Sequence, residues 1–167
     1  LRPSGHRIPM MGATENVLLA DFDGDGVPDL SPISPVPGGG VYILRGNGQG
    51  EFGDRPRTLL DAAVTGVLAG DVNGDGRQDV VAGTNGPLGG QRMHYSSDGG
   101  ATWTQVNLPL GGTSGDPAVD WSSDGVNAYA TTLGNCGFGG CQVWFYRSND
   151  FGATWSGLET ATPGDPR

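Results

Sequence analysis

The run Asp21-Phe-Asp-Gly-Asp-Gly-Val-Pro-Asp29 recurs fifty residues later as Asp71-Val-Asn-Gly-Asp-Gly-Arg-Gln-Asp79. Short apolar runs precede and follow both copies, and they lack the periodicity of an amphipathic helix but suit β-strands. Each copy therefore predicts an acidic, glycine-rich loop between two strands. An internal repeat of this kind predicts a repetitive architecture, so the rest of the chain is divided at the same period.

A second motif repeats with nearly the same spacing. Ser96-Ser-Asp-Gly-Gly-Ala-Thr-Trp103 recurs fifty-two residues later as Ser148-Asn-Asp-Phe-Gly-Ala-Thr-Trp155. The middle of the chain carries both motifs, which indicates one repeating unit decorated in two ways. We predict four strands in each unit, near 16–20, 29–34, 41–45 and 51–59, then 65–70, 79–84, 91–95 and 103–107, then 116–120, 126–132, 142–147 and 155–159.

Four-stranded units at this period are typical of β-propeller blades. We therefore predict an all-β fold of about three four-stranded antiparallel blades with almost no helix. The predicted units are 1–62, an N-terminal segment with blade 1; 63–112, blade 2; and 113–167, blade 3. Three blades do not close a propeller, which usually has about four to eight. The chain is therefore expected to be part of a larger propeller, or to associate with further copies.

Composition narrows the possible partners. The net charge is −9, all nine basic residues are arginines, and seven of the eighteen acidic residues lie in the two loops. An acidic chain without a basic patch argues against nucleic acid and anionic membranes as partners. No apolar run approaches the ~20 residues that span a bilayer, so membrane insertion is not expected.

The two acidic loops have the composition of calcium sites. Acidic side chains at positions 1, 3, 5 and 9, with a main-chain carbonyl at position 7, place several oxygens around one hard cation. We predict two Ca²⁺ ions, the second held more weakly because Asn73 supplies a neutral oxygen. The alternative is an acidic turn that binds nothing specific. The predicted ligands are Asp21, Asp23, Asp25, Val27 and Asp29 in the first loop, and Asp71, Asn73, Asp75, Arg77 and Asp79 in the second.

These loops are not EF-hands, because Pro32 and Ala82 stand where that motif requires a bidentate glutamate. The segments Val17–Leu30 and Val41–Phe52 instead resemble an FG-GAP (VCBS-like) repeat. The resemblance covers the first two units and implies blades of an integrin-type β-propeller, as found in secreted lectins and adhesins. It also implies calcium in the loop after the first strand of each blade, at the positions predicted above.

The Ser-x-Asp-x-Gly-x-Thr-Trp motif resembles the Asp-box (BNR repeat) of sialidase-like propellers. From the residues alone, the serine and aspartate accept or donate turn hydrogen bonds, the glycine takes the unusual backbone angle, and the tryptophan packs beneath. The alternative, that Asp98 and Asp150 are a glycosidase carboxylate pair, is less favoured because such boxes lie on the blade periphery. The predicted structural residues are Ser96, Asp98, Gly100, Trp103, Ser148, Asp150, Gly152 and Trp155.

The two cysteines lie in the run Cys136-Gly-Phe-Gly-Gly-Cys141. Three glycines among four intervening residues let the chain turn back, so we predict a disulfide at a hairpin tip and an oxidising compartment. Two free thiols are the alternative.

No catalytic constellation is evident. Neither histidine has a partner motif, and the acidic residues outside the two motifs show no pattern. Exposed aromatic side chains could instead contact sugars, although packing between blades is the preferred interpretation for them. Phe138 is the best single candidate for an exposed contact. The aromatic residues considered are Trp121, Phe138, Trp144 and Tyr146.

Together these patterns predict a secreted or cell-surface, calcium-stabilised β-propeller module that binds a glycan or a protein without catalysis. Two alternatives stay open. Copies could associate through exposed blade faces into rings or filaments, or the chain could be part of a sialidase-like hydrolase or a lyase.

Overall fold

A computed structural model describes residues 16–33, 40–53, 58–59, 63–71, 73–85, 91–109, 113–137 and 140–158. Throughout these ranges the regular elements are strands, and helix is absent. The strands are β1 (Asn16–Ala20), β2 (Asp29–Ile33), β3 (Gly40–Val41), β4 (Arg45–Gly46), β5 (Phe52–Gly53), β6 (Thr58–Leu59), β7 (Ala63–Gly70), β8 (Asp79–Asn85), β9 (Gln91–Ser96), β10 (Thr104–Asn107), β11 (Thr113–Trp121), β12 (Ala128–Gly137), β13 (Gly140–Ser148) and β14 (Ser156–Leu158).

The strands form three four-stranded antiparallel sheets in chain order. The first has the order β1-β2-β3-β6, the second β7-β8-β9-β10 and the third β11-β12-β13-β14. The all-β, blade-like fold predicted from the repeats is therefore confirmed. The division of the chain into separate domains stays a prediction.

The first sheet departs from the predicted strand pattern. The expected strand over 41–45 is interrupted after Val41, and β4 pairs with β5 as a separate two-stranded ribbon. Leu44 still exchanges two main-chain hydrogen bonds with Leu30, at 2.8 and 3.0 Å. The predicted strand over 51–59 is likewise replaced by β5 and β6, because the ribbon turns the chain away from the sheet before it returns.

Apolar side chains between neighbouring sheets form the core. Ile33 and Val41 of the first sheet pack with Val64 and Ala82 of the second. A larger cluster joins the second and third sheets, and it contains Val81, Met93, Leu108, Ala128, Ala130, Tyr146 and Trp155. Since the first sheet packs on the second, the acidic loops of these two sheets are fixed relative to each other.

The aromatic residues of the third sheet follow the preferred interpretation only in part. Tyr146 is fully buried, and Trp121 and Trp144 are partly buried against the core. Packing between blades does not extend to both faces of the strand that carries Trp144 and Tyr146. Val143 is 54 % exposed and Phe145 40 % exposed, because no sheet in the described part of the chain covers that face. Phe138 lies outside the described residues.

No helix among the described residues is both long enough and apolar enough to cross a membrane.

Candidate metal centre

The first acidic loop connects β1 to β2. Ala20, the last residue of β1, pairs with Asp29, the first residue of β2. The main chain must therefore return within the loop. Asp29 is fully buried although it carries a carboxylate, and a buried carboxylate needs donors or a cation nearby.

Three carboxylates of this loop converge. Oxygens of Asp21, Asp23 and Asp29 all lie within 4.8 Å of one another. Oxygens that share one Ca²⁺ lie about 2.3–2.6 Å from it, and hence no more than about 5 Å apart. The three predicted ligands are therefore spaced as one calcium ion requires. Asp25 is outside this cluster, and its carboxylate accepts a hydrogen bond from the Val27 amide at 2.8 Å.

The Asp21 carboxylate organises the loop. One oxygen accepts hydrogen bonds from the amides of Gly24 (2.8 Å) and Asp25 (3.1 Å), and the other from the amide of Gly26 (2.8 Å). Aiming these amides inward requires φ of +78° at Gly24 and +83° at Gly26, a region that glycine enters at little cost. Each carboxylate oxygen has two lone pairs, so these bonds still leave capacity for a cation.

Two further contacts with this loop could not be predicted from the sequence. The Arg45 Nε lies 2.6 Å from an oxygen of Asp23, and the Gly46 amide donates to Asp29 at 2.9 Å. Both donors come from β4, the strand that leaves the first sheet. The ribbon therefore covers the loop and supplies one positive charge to a cluster of carboxylates. Long-range contacts of this kind have no local sequence signal.

The pKa of Asp29 is raised above its ordinary value, and burial is the main cause. Hydrogen bonds from the amides of Gly46 and Phe22 lower it, and the charges of Asp23 and Asp25 raise it further. The buried carboxylate is thus the least favourable charge of the group in the absence of a cation. A divalent ion beside it would stabilise the ionised form.

The second loop repeats the arrangement with one difference. Asp71 accepts from the amides of Gly74 (2.8 Å) and Gly76 (3.0 Å), and Asp79 is buried as Asp29 is. Asn73 Nδ2 lies 3.2 Å from Asp75 and 3.3 Å from Asp79, bridging their carboxylates.

The acidic cluster of the first loop consists of its positions 1, 3 and 9. In the second loop position 3 is Asn73, so Asp71 and Asp79 are the two acidic residues at these positions. The second loop therefore has the predicted oxygen donors with one negative charge fewer.

The two loops lie side by side. A side chain on Gly24 would place its Cβ 2.9 Å from the main-chain oxygen of Gly76 and 3.5 Å from Cγ of Arg77. Seven acidic residues of the chain are therefore gathered at one edge of two adjacent sheets. Their mutual repulsion opposes the compact fold in the absence of cations.

The third sheet has no acidic cluster at the corresponding position. Its loop from Ser122 to Asn127 is closed by hydrogen bonds of its own, from Ser122 Oγ to Asp124, from the Val126 amide to Asp124 at 3.1 Å, and from the Asn127 amide to Ser122 Oγ at 2.9 Å. The connection in the third sheet thus forms without the carboxylates that characterise the other two.

The two Ser-to-Trp motifs form nearly identical turns, called here the serine–tryptophan turns, Ser96–Trp103 and Ser148–Trp155. In the first, Ser96 Oγ donates to Asp98 at 2.8 Å and accepts from the Gly100 amide at 2.9 Å. Asp98 also accepts from the amide and hydroxyl of Thr102, and the Trp103 indole donates to the Gly100 carbonyl at 3.0 Å.

The second turn has the same bonds between Ser148, Asp150, Gly152, Thr154 and Trp155. Glycine takes positive φ in both, +79° at Gly100 and +89° at Gly152. The carboxylates of Asp98 and Asp150 thus hold the two turns through hydrogen bonds, and the structural role of these residues stays a prediction. Phe151 also has positive φ, +60°, which is unusual for an aromatic residue and was not predicted.

The described part of the chain contains no free cysteine. Gly137 of β12 pairs with Gly140 of β13, so Cys136 and Cys141 each lie next to one residue of this pair. The side chain of Cys136 lies outside the described residues.

Comparison with known proteins agrees with this geometry. Residues 33–82 match the family model of the FG-GAP-like repeat, and residues 63–103 match that of the FG-GAP repeat. FG-GAP repeats are blades of β-propellers, so the chain is a β-propeller-type protein that carries FG-GAP repeats. The second acidic loop lies within both matches, whereas the first loop and the third sheet lie outside them.

The chain is also similar to three proteins named phosphatidylinositol-glycan-specific phospholipase D. The protein of Bos taurus is 30 % identical over 141 residues, which cover 70 % of this chain and 17 % of that protein. The protein of Homo sapiens is 28 % identical over 136 residues (70 % and 16 %), and that of Mus musculus 33 % over 88 residues (45 % and 10 %). The chain therefore spans less than a fifth of the length of these curated relatives.

Proposed function

We propose that this chain is a calcium-stabilised β-propeller module of an extracellular protein, and that it binds a glycan or a protein without catalysing a reaction. The observation that carries the proposal is the convergence of Asp21, Asp23 and Asp29 within 4.8 Å. The matching second loop in a recognised FG-GAP repeat supports a second ion. The carbonyls of Val27 and Arg77 are proposed to complete the two coordination shells.

Calcium titration by calorimetry tests the metal sites. We expect two binding events in the wild-type chain. Asp21→Asn should remove the tighter one and Asp71→Asn the weaker one, because each replaces the carboxylate that organises its loop. Asp120→Asn is the matched control, since it removes an acidic charge from an exposed position outside both loops. Absence of binding heat in the wild type would show that the loops are acidic turns and no more.

The ligand class is tested separately. The relatives are named for a phosphatidylinositol-glycan, so the first probe is that glycan, followed by a general glycan array and candidate cell-surface proteins. Binding that is lost on calcium removal supports the module. Hydrolysis of the probe by this chain would favour the enzymatic alternative instead.

We further infer that the two serine–tryptophan turns are Asp-boxes. Their support is the shared hydrogen-bond pattern and the seating of Gly100 and Gly152 against the preceding sheet, where an added Cβ would lie 3.0 Å from Ile43 and 3.0 Å from Val81. This assignment gives the turns an architectural role, and places no catalytic group at Asp98 or Asp150.

A disulfide between Cys136 and Cys141 is proposed to close the β12–β13 hairpin. It is supported by the absence of a free cysteine among the described residues and by the pairing of Gly137 with Gly140 between the two cysteines. Intact mass before and after reduction and alkylation tests it, because a disulfide adds two alkyl groups only after reduction. Extracellular localisation, where such bonds persist, is part of the same proposal.

A further inference from the structure

One arginine reaches the first acidic loop from the ribbon formed by β4 and β5. The Arg45 Nε lies 2.6 Å from Oδ2 of Asp23, which is one of the three converging aspartates. The side chain of Asp23 is 11 % exposed, whereas that of Arg45 is 48 % exposed. A positive charge of the chain itself therefore lies against the carboxylate cluster and can still be reached by water.

Both carboxylate oxygens of Asp23 are engaged in this arrangement. Oδ1 accepts a hydrogen bond from the Asp25 amide at 3.2 Å, and Oδ2 faces the guanidinium of Arg45. A calcium ion bound to Asp23 would lie about 5–7 Å from the guanidinium, depending on which oxygen it shared. Two cations at this separation repel each other. The metal and Arg45 therefore compete for the charge of the same side chain.

The main chain of the ribbon is held by contacts that do not involve the guanidinium. The Gly46 amide donates to Asp29 at 2.9 Å, and Arg45 pairs with Gly53 of β5. A side chain on Gly46 would overlap the carbonyl oxygen of Pro28, so β4 packs directly on the loop. The Arg45 side chain can consequently turn toward water while β4 stays in place.

The second loop provides an internal comparison. In the first sheet the residue after Asp29 is bridged to the residue before Arg45. In the second sheet the residue after Asp79 pairs with the residue before Ser97. Arg45 and Ser97 therefore occupy equivalent positions, and Ser97 is exposed and uncharged. The second loop has no cation at the position from which Arg45 reaches the first.

We infer that Arg45 is a tethered competitor of the metal at the first loop. It neutralises part of the carboxylate cluster in the calcium-free chain, and calcium displaces its guanidinium from Asp23. The inference rests on the proposed calcium site and adds the exchange of cations that accompanies binding. Half-exposed ion pairs contribute little to stability, so a divalent ion can replace this one. The exchange limits repulsion among the carboxylates when calcium is scarce, at the expense of some calcium affinity.

Calorimetric calcium titration of Arg45→Gln tests the inference. We expect the first site to bind calcium about tenfold more tightly than in the wild type, the effect of removing a unit charge about 6 Å from a divalent ion in a water-like dielectric. The second site should be unchanged. Arg147→Gln is the matched control, because it removes the same charge from an exposed position of β13 in the third sheet. Repeating both titrations in the Asp71→Asn background isolates the first site.

The position of the side chain is measured by nitrogen-15 NMR. The Nε–H signal of Arg45, assigned by its absence from Arg45→Gln, should move toward the signals of solvated arginines as calcium fills the first site. Thermal unfolding gives a second readout. Arg45→Gln should lower the melting temperature of the chelated chain but not that of the calcium-loaded chain, so the rise caused by calcium should be larger in the variant.

An unchanged or weaker first site in Arg45→Gln overturns the inference, and weaker binding would show that Arg45 positions Asp23 for the metal. A Nε–H signal that does not move at saturating calcium overturns it as well. In both cases calcium still binds, so the proposed function stands. Absence of binding heat in the wild type and in Arg45→Gln alike overturns the calcium proposal and this inference together.

Discussion

Asp23 and Asn73 occupy the same position in two loops that are otherwise closely matched. Asp23 contributes a carboxylate oxygen to a cluster within 4.8 Å, whereas the Asn73 amide bridges two carboxylates of its own loop. Calcium affinity depends on the number of charged ligands. We therefore expect this one position to decide which of the two proposed sites binds calcium more tightly.

Exchanging these side chains should exchange the affinities. Asp23→Asn is expected to weaken the first site by about tenfold, and Asn73→Asp to strengthen the second by a similar factor, as expected for adding or removing one ligand charge near a divalent ion. Calorimetric titration of both variants measures the two constants. Equal effects of Asn73→Asp on both sites would show that it acts through net charge and not as a ligand.

Substitution of the loop glycines distinguishes the effect of backbone strain from that of the contact between the two loops. Gly24 and Gly26 both have positive φ, but only Gly24 lies against the second loop. Gly26→Ala should destabilise the fold by about 1–2 kcal/mol through strain alone. Gly24→Ala should cost more, because its Cβ would lie 2.9 Å from the Gly76 oxygen. Urea denaturation of both variants gives the difference, and equal losses would contradict close packing of the two loops.

Most of the residues of the candidate site could be predicted from the sequence, and the reason is local. Asp21 bonds to amides three to five residues away, so spacing alone defines its role. Arg45 and Gly46 meet the loop from β4, more than fifteen residues further on, and their approach depends on the break in the first sheet after Val41. No local pattern encodes that break.

At the level of elements, the serine–tryptophan turns are held by charge-assisted hydrogen bonds. Burial alone would raise the pKa of Asp98, but bonds from the Thr102 side chain and amide and from Ser96 bring it below its ordinary value of 3.8. The pKa of Asp150 is lowered in the same way by Thr154 and Ser148. Because the folded-state pKa is depressed, each carboxylate stabilises the fold above pH ~4, and this contribution is lost as pH falls through the folded-state pKa.

Asp98→Asn should therefore destabilise the chain by about 1–2 kcal/mol at pH 7, and by less at pH 2, because the wild-type carboxylate loses its charge as the pH falls through its folded-state pKa. Asp150→Asn should behave alike. Urea denaturation at both pH values, in the presence of chelator, measures the effect without interference from metal. Asp120→Asn serves as control, since its carboxylate accepts one local bond from the Trp121 amide. If Asp98→Asn lowers the free energy of unfolding by the same amount at pH 2, the effect arises from packing and not from the charge of the carboxylate.

The sheets themselves were predictable where the repeat is regular. The strands of the second sheet follow the alternating and apolar runs closely, and the acidic loop and the turn mark their ends. The exposure of one face of β13 could not be predicted, because Val143 and Phe145 are as apolar as residues buried between blades. Whether an apolar strand face is covered depends on the neighbouring sheet, which the strand's own sequence does not contain.

In the whole molecule, the three sheets differ in the loop that connects their first two strands. In the first two it is a carboxylate loop with the spacing of a calcium site, and in the third it is the hydrogen-bonded loop from Ser122 to Asn127. A ligand that binds only the folded state stabilises that state. The stabilisation depends on the ratio of the ligand concentration to the dissociation constant. Calcium should consequently stabilise the stack unevenly.

Chelation is therefore expected to lower the melting temperature by roughly 5–10 °C for each site at which calcium is present at about a hundred times its dissociation constant before removal. Hydrogen exchange should then lose protection first in β1, β2, β7 and β8, which flank the two acidic loops, while β12 and β13 keep theirs. Asp124→Asn is the control. The pKa of Asp124 is lowered chiefly by the Ser122 hydroxyl and the Val126 amide, so the variant should weaken the loop from Ser122 to Asn127 equally with and without calcium. Equal loss of protection in all three sheets would contradict this expectation. It would mean that the sheets unfold as one cooperative unit, and that a metal bound at either acidic loop also stabilises β12 and β13 through the packing between the sheets.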